Sequence, residues 1–142
     1  MNIPKQFHQF TDEVALIVVA AKQEGRVYHA GNGILTDVDS FRIPTPHFSD
    51  NEEAPDRRGN QENTTEKKIH QEYMGHFKKL FHTLAGGEKP SHLYLFSPMH
   101  VAQELEDLTR TVFGALPTTV VVGIFTKQDP IELLEVLKSR SE

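Results

Sequence analysis

The chain has 142 residues, 37% of them apolar and 25% charged, with a net charge of −5. That length suits one domain with a core of its own, and the absence of cysteine excludes disulfides, thiolate metal sites and cysteine nucleophiles. The acidic balance argues against a broad basic surface of the kind that grips DNA, so no DNA partner is expected, while a local basic site stays open. No apolar run approaches the roughly 18 residues of a membrane span. Residues 1–10 lack the apolar stretch of a signal peptide. A chain without thiols fits a reducing compartment. The expectation is therefore a cytoplasmic protein without a membrane partner.

Val14 to Ala21 is apolar and β-branched on both faces, the pattern of a central strand. Lys22-Gln23-Glu24-Gly25 reads as a turn, and Arg26 to Ala30 as a second strand. The pair Asn32-Gly33 between two strand-like runs is a hairpin signal. A third strand then runs from Ile34 to Ile43, with Ile34, Val38, Phe41 and Ile43 as its apolar content, and Pro44 and Pro46 end it. Residues 48–63 lack any large apolar side chain beyond Phe48. Such a stretch does not offset its ordering entropy by burial, so a long polar loop is expected there. Ile69, Tyr73, Phe77, Leu80, Phe81 and Leu84 follow on one helical face. They predict a helix over Thr64–Leu84, capped by Asn63 or Thr64 and ended by Gly86-Gly87. His92 to Phe96 is a fourth strand. Val101–Phe113 is a helix with Val101, Leu105, Leu108 and Val112 inward, and Thr118 to Phe125 is a fifth strand. Asp129 as N-cap and Pro130 at the first helical position open a last helix, Ile131–Lys138, buried through Ile131, Leu134 and Leu137. The fold class is α/β: a single domain over 1–142, with a mixed sheet of about five strands in the order βββ-loop-αβαβα, flanked by helices.

Eight histidines raise a metal reading, yet none stands in His-Glu-x-x-His and no two share a helical face at i, i+4. Scattered surface and half-buried imidazoles are expected, with no metal and no cofactor. The strand residues His29 and His92 read as hydrogen-bonded structural groups. Asp37 and Asp39 alternate along the third strand toward one face, an arrangement that holds Mg²⁺ in some nucleases, and solvated carboxylates are the plainer expectation. A Gly-x-Ser-x-Gly elbow and a phosphate-binding loop are both absent.

The stretch Asp56-Arg57-Arg58-Gly59-Asn60-Gln61, followed by Thr64-Thr65-Glu66-Lys67-Lys68-Ile69-His70-Gln71-Glu72-Tyr73, resembles the middle domain of archaeal and eukaryotic class-I peptide-chain release factors. In that domain an Arg-Gly-Gly-Gln loop lies between a set of strands and a long charged helix. The resemblance is nearest to small bacterial relatives of that domain, a group that includes proteins labelled as required for attachment to host cells. Arg26 to Ile43, His92 to Phe96 with Ser97-Pro98, and Gly123 to Pro130 match the same order, so the likeness runs from about Val14 to Leu137.

The resemblance implies a protein that acts at the ribosome. In the family the loop enters the peptidyl-transferase centre, where its glutamine helps place water against the ester joining peptide to tRNA. Backbone N–H groups there stabilise developing charge, and the protein contributes positioning more than acid-base chemistry. Carried over, Gly59 matches the first glycine and Gln61 the glutamine, with Asn60 between them as the third member of the candidate catalytic set. Arg57 and Arg58, with Lys67 and Lys68 on the helix, are the candidate RNA-binding residues. Asn60 stands where the family has its second glycine. Between Asp50 and Glu72, seven carboxylates face four Lys or Arg. Those departures keep open a non-catalytic protein- or RNA-binding module of the same fold. Ribosome or tRNA is the expected partner class.

Overall fold

The computed structural model describes residues 1–43, 58–87, 89–125 and 129–141, with the side chains of the first helix described from Lys67 onward. Its elements run β1 (Ala15–Ala21), β2 (Glu24–Gly31), β3 (Ile34–Arg42), α1 (Arg58–Ala85), β4 (His92–Ser97), α2 (Met99–Phe113), β5 (Thr118–Val122) and α3 (Pro130–Ser141). The five strands form one mixed sheet in the order β3-β2-β1-β4-β5. β1, β2 and β3 pair antiparallel, while β4 pairs parallel with β1 and β5 parallel with β4. The α/β class, the mixed five-stranded sheet and the three flanking helices are those expected.

β1 is buried along its whole length because both of its faces are covered. Ala15, Ile17 and Val19 meet Tyr28, Phe96, Val121 and the inner residues of α3, Leu133 and Leu134. Leu16, Val18 and Ala20 meet Val27, Leu93, Leu95 and the inner faces of α1 and α2. The sheet thus separates two apolar layers. Period-2 alternation in a strand sends neighbours to opposite faces, so an unbroken apolar run is what a central strand requires.

The α1 face read from the sequence is the one buried: Tyr73, Phe77, Leu80 and Phe81 are buried, and Ile69 and Leu84 pack on them half-exposed. Gly25 is required where β2 passes under α1. A Cβ there would stand 2.5 Å from the Phe41 ring and 2.6 Å from that of Phe77. Asn32 and Gly33 both adopt positive φ, 48° and 78°, between the paired residues Gly31 and Ile34, the geometry of a two-residue type I′ hairpin turn. Asp129 accepts the Glu132 N–H at 3.1 Å and donates its own N–H to the Glu132 carboxylate at 3.0 Å. That reciprocal pair is a capping box, with Pro130 at the first helical position.

Four features differ from the sequence expectation. α1 begins at Arg58, six residues ahead of Thr64, so the part of the expected polar loop from 58 to 63 is helical; the part from 48 to 57 lies outside the described residues. Residues 1–13 contribute to the core through Ile3, Phe7 and Phe10. The Gln9 side-chain amide holds this segment by donating to the carbonyls of Ile3, Pro4 and Phe7. Leu133 is more deeply buried than the Ile131 and Leu137 read as the inner side of α3. Finally, the β2–β3 ladder shifts register between Val27 and Tyr28, so that Tyr28 pairs with Asp37 and Val27 with Asp39. Val38 is the extra residue of a β-bulge. Asp37 therefore shares the face of Tyr28 and Asp39 the opposite face of Val27, and the two acids do not form a same-face pair.

Candidate functional site

Sequence and topology together direct attention to the end of the sheet where the parallel strands β1, β4 and β5 finish. In open α/β sheets with parallel strands, ligand sites gather outside the carboxyl ends of those strands. α1 and α2 both start at this end and run side by side. His70 of α1 lies against Glu104 of α2 with its Nε2 2.9 and 3.2 Å from the two carboxylate oxygens, and further along the Phe81 and Phe113 rings meet at 5.7 Å. Tyr73 marks where α1 crosses the edge of the sheet. Its hydroxyl donates to the carbonyl of Ala21, the last residue of β1, at 2.6 Å.

Among the described residues, Ile69 is the first of α1 to pack on the core. The helix nonetheless begins at Arg58. At 1.5 Å per residue, the helix runs about 22 Å from Arg58 to Tyr73. Gly59, Asn60 and Gln61 sit in that first turn, with Arg58 beside them. Helix geometry leaves the N–H groups of the first four residues without an acceptor in the helix, and here those four are Arg58, Gly59, Asn60 and Gln61. Lys67 and Lys68 follow on the same segment, both exposed. Arg57 lies outside the described residues. Sequence reasoning thus placed Gly59, Asn60 and Gln61 in a loop, whereas their backbone is the amino-terminal turn of a helix. What it did not anticipate is the neighbouring surface.

That surface is a recess of about 200 Å³ lined by Lys22 and Gln23 of the β1–β2 turn, His70 and Tyr73 of α1, and His100 of α2. α2 opens on Pro98 without a side-chain cap. Val101 and Ala102 turn back to the Pro98 carbonyl, and helix geometry gives the N–H groups of Met99 and His100 no acceptor within α2. Uncapped helix starts attract anions because oriented N–H groups and the helix dipole act together. Two helix starts, Lys22, Lys67, Lys68 and the imidazoles of His70 and His100 therefore share one end of the molecule. The acids of the same region are Glu24 beside Tyr73, Glu62, Glu66 and Glu72 along α1, and Glu104, which is engaged with His70. The signal that would have found this end in the sequence is Ser97-Pro98-Met99-His100, a helix start with proline where a capping side chain usually stands.

Among the described residues the other histidines make separate contacts. His8 meets Glu13 at 3.1 Å, and His76 stacks on Phe41 at 4.8 Å with Glu72 at 3.9 Å. His92 meets the Thr119 hydroxyl at 2.8 Å and stacks on Tyr94. Burial holds the His92 pKa below the usual imidazole value, opposed by the Glu13 charge. Among the described residues no three His, Asp or Glu side chains come together as a metal site. Among them, too, no helix is long and apolar enough to cross a membrane.

No protein-family model matches this chain, and no curated protein is significantly similar to it.

Proposed function

We propose that this chain acts at the ribosome, in the cytoplasm, as a stand-alone release-factor-like domain that delivers the first turn of α1 to RNA near a peptidyl-tRNA ester. The observation that carries the reading is the early start of α1 at Arg58. The Gly59-Asn60-Gln61 turn, the residues that resemble the release-factor motif, opens a helix whose hydrogen-bonded anchor to the sheet, Tyr73, comes more than three turns later. About 22 Å of helix ahead of that anchor suits entry into a confined RNA cavity that a globular domain does not enter. Arg58, Lys67 and Lys68 along that segment supply phosphate contacts, and the N–H groups of the first turn supply donors for an anion. In this reading Gln61 orients or screens water, while Gly59 and Asn60 permit close approach of the backbone. Hydrolysis of the ester, or its protection during rescue of stalled complexes, follows from that placement without a cofactor.

A second reading is favoured by a separate observation. Gly59 to Gln61 are helical, and helical N–H groups bind an anion with no chemistry attached. Asn60 in the place of the family's second glycine points the same way. On this reading the chain is a non-catalytic RNA- or protein-binding module of the host-attachment type.

One experiment separates the two. Purified ribosomes carrying a defined peptidyl-tRNA are incubated with wild-type protein or Gln61→Ala, and released peptide is counted. Release by wild type that falls at least about tenfold in the variant, or roughly 1.4 kcal/mol of lost transition-state stabilisation, supports the first reading. Equal release by both removes Gln61 from the mechanism. Absence of release by either, on complexes shown competent with a standard release factor, leaves the binding module. Co-sedimentation with ribosomes that weakens steeply between low and high salt is expected for either ribosomal mode.

A further inference from the structure

The opposite end of the sheet holds a larger cleft, independent of the start of α1. It lies where β4 and β5 begin, between the amino-terminal segment and the last turns of α3, and measures about 680 Å³. That volume falls within the range of small-molecule sites. Its apolar side is formed by Phe7, Phe10, Leu134 and Leu137. Phe10 and Leu134 are buried members of the core, so this wall is set by the fold. Beside it the lining is polar and basic. Lys138 and Arg140 stand there from α3, with the hydroxyls of Tyr94 and Thr119 at the sheet side.

Among the described residues, neither Lys138 nor Arg140 makes an ion pair with an acid. The Lys138 ammonium lies over the Phe7 ring, 5.9 Å from its centre, so it stands beside the apolar wall. The acids around this region are Glu13, engaged with His8 of the cleft lining at 3.1 Å, and Glu132 and Glu135 of α3, which share a neighbouring recess with Arg140. Tyr94 is half-buried, with its ring against Phe10 and His92. Burial, reinforced by the Glu13 charge, pushes its hydroxyl pKa up and keeps it protonated as a donor. An apolar wall flanked by two cations and a tyrosine hydroxyl is complementary to a molecule with a hydrophobic body and one anionic head. A last-turn Lys and Arg also complement the α3 dipole, but that role requires neither the cleft nor the apolar wall facing them.

We infer that this cleft is a binding site for a small apolar monocarboxylate, with the chain or ring of the ligand against Phe7, Phe10, Leu134 and Leu137 and its carboxylate held by Lys138 and Arg140.

The full chain is titrated calorimetrically with octanoate and 1-octanol, and in a second pair with 2-naphthoate and 2-naphthol. The expected result is that at least one carboxylate binds about tenfold tighter than its alcohol, the scale of one charge-assisted contact. The double substitution Lys138→Gln with Arg140→Gln removes that preference while leaving the affinity for the alcohol unchanged and lowering the thermal midpoint by only a few degrees, the scale of two lost helix-dipole contacts. Backbone amide shifts in the bound state fall at Tyr94, Thr119 and the last turns of α3. Binding by octanoate alone or naphthoate alone identifies the body as aliphatic or aromatic. Equal affinity for acid and alcohol, a preference that survives the double substitution, shifts located elsewhere, or no binding at millimolar ligand overturns the inference.

Discussion

Tyr73 is the residue on which the two ends of the architecture meet. Its ring packs edge-on to Phe41 and Phe77, and its hydroxyl satisfies the Ala21 carbonyl at 2.6 Å where β1 stops. Burial, with the Glu24 charge adding to it, pushes the phenol pKa well above its ordinary value. The folded protein therefore holds this proton more tightly than the unfolded chain, whose tyrosines titrate near about 10. Stability from this source is complete below pH 10 and is lost as the pH rises above it. Tyr73→Phe keeps the ring but leaves a buried carbonyl without its partner, and should cost about 1–2 kcal/mol in urea unfolding at neutral pH. In the same variant the decline in stability above about pH 10 should flatten relative to wild type. An unchanged alkaline slope in the variant would assign the effect to other groups. Tyr73 was legible in the sequence as a core residue, from its place in the helical face. Its hydrogen bond was not, because the partner lies 52 positions earlier in the chain.

At the scale of elements, the capping box at the start of α3 is the clearest local determinant. Asp129→Ala removes the acceptor for the Glu132 N–H and should cost about 1 kcal/mol, while Asp129→Asn should recover most of it. Measurement of the urea midpoint for the pair tests the cap against a general charge effect. The cap, the Asn32-Gly33 turn, the fully apolar β1 and the inner face of α1 were all readable, since each rests on side chains within a few residues of one another. The start of α1 was not. Residues 58–65 contain no apolar face, so periodicity is silent there, yet no proline interrupts a helix already secured downstream. The bulge at Val38 was hidden too. Strict alternation places Asp37 and Asp39 together, and only the register against β2 shows them parted. Ile3, Phe7 and Phe10 escaped because they keep neither a helical nor a strand period. The positive φ of Phe10 and Asp12 belongs to an irregular backbone fitted over β2 and β3. Of the candidate site, Gly59, Asn60, Gln61 and the two lysines were singled out by resemblance and charge. The Pro98 helix start and the Lys138–Arg140 rim depend on segments distant in sequence and were missed.

Across the whole molecule, order is unevenly anchored. The sheet is enclosed by two apolar layers, and Phe77 and Phe81 of α1 are wholly buried in one of them. The first eleven residues of the same helix, from Arg58 to Lys68, precede Ile69, the first of α1 to pack on the core among the residues whose side chains are described. A helical segment of that length is marginal in water because nucleation is costly, and Gly59 weakens it by about 1 kcal/mol relative to alanine. The buried half therefore serves as a permanent nucleus from which the outer turns propagate, each added residue contributing little free energy of its own. Amide hydrogen exchange should display this as a gradient within one continuous helix. Protection should approach the global unfolding free energy at Phe77 and Phe81 and fall toward zero by Arg58. Uniform protection along α1 would show that the outer turns have a partner of their own. With such a gradient, a ligand that grips the first turn is coupled to helix growth. Its affinity would rise with any change that raises helical propensity between Arg58 and Lys68, including substitutions that never touch the ligand.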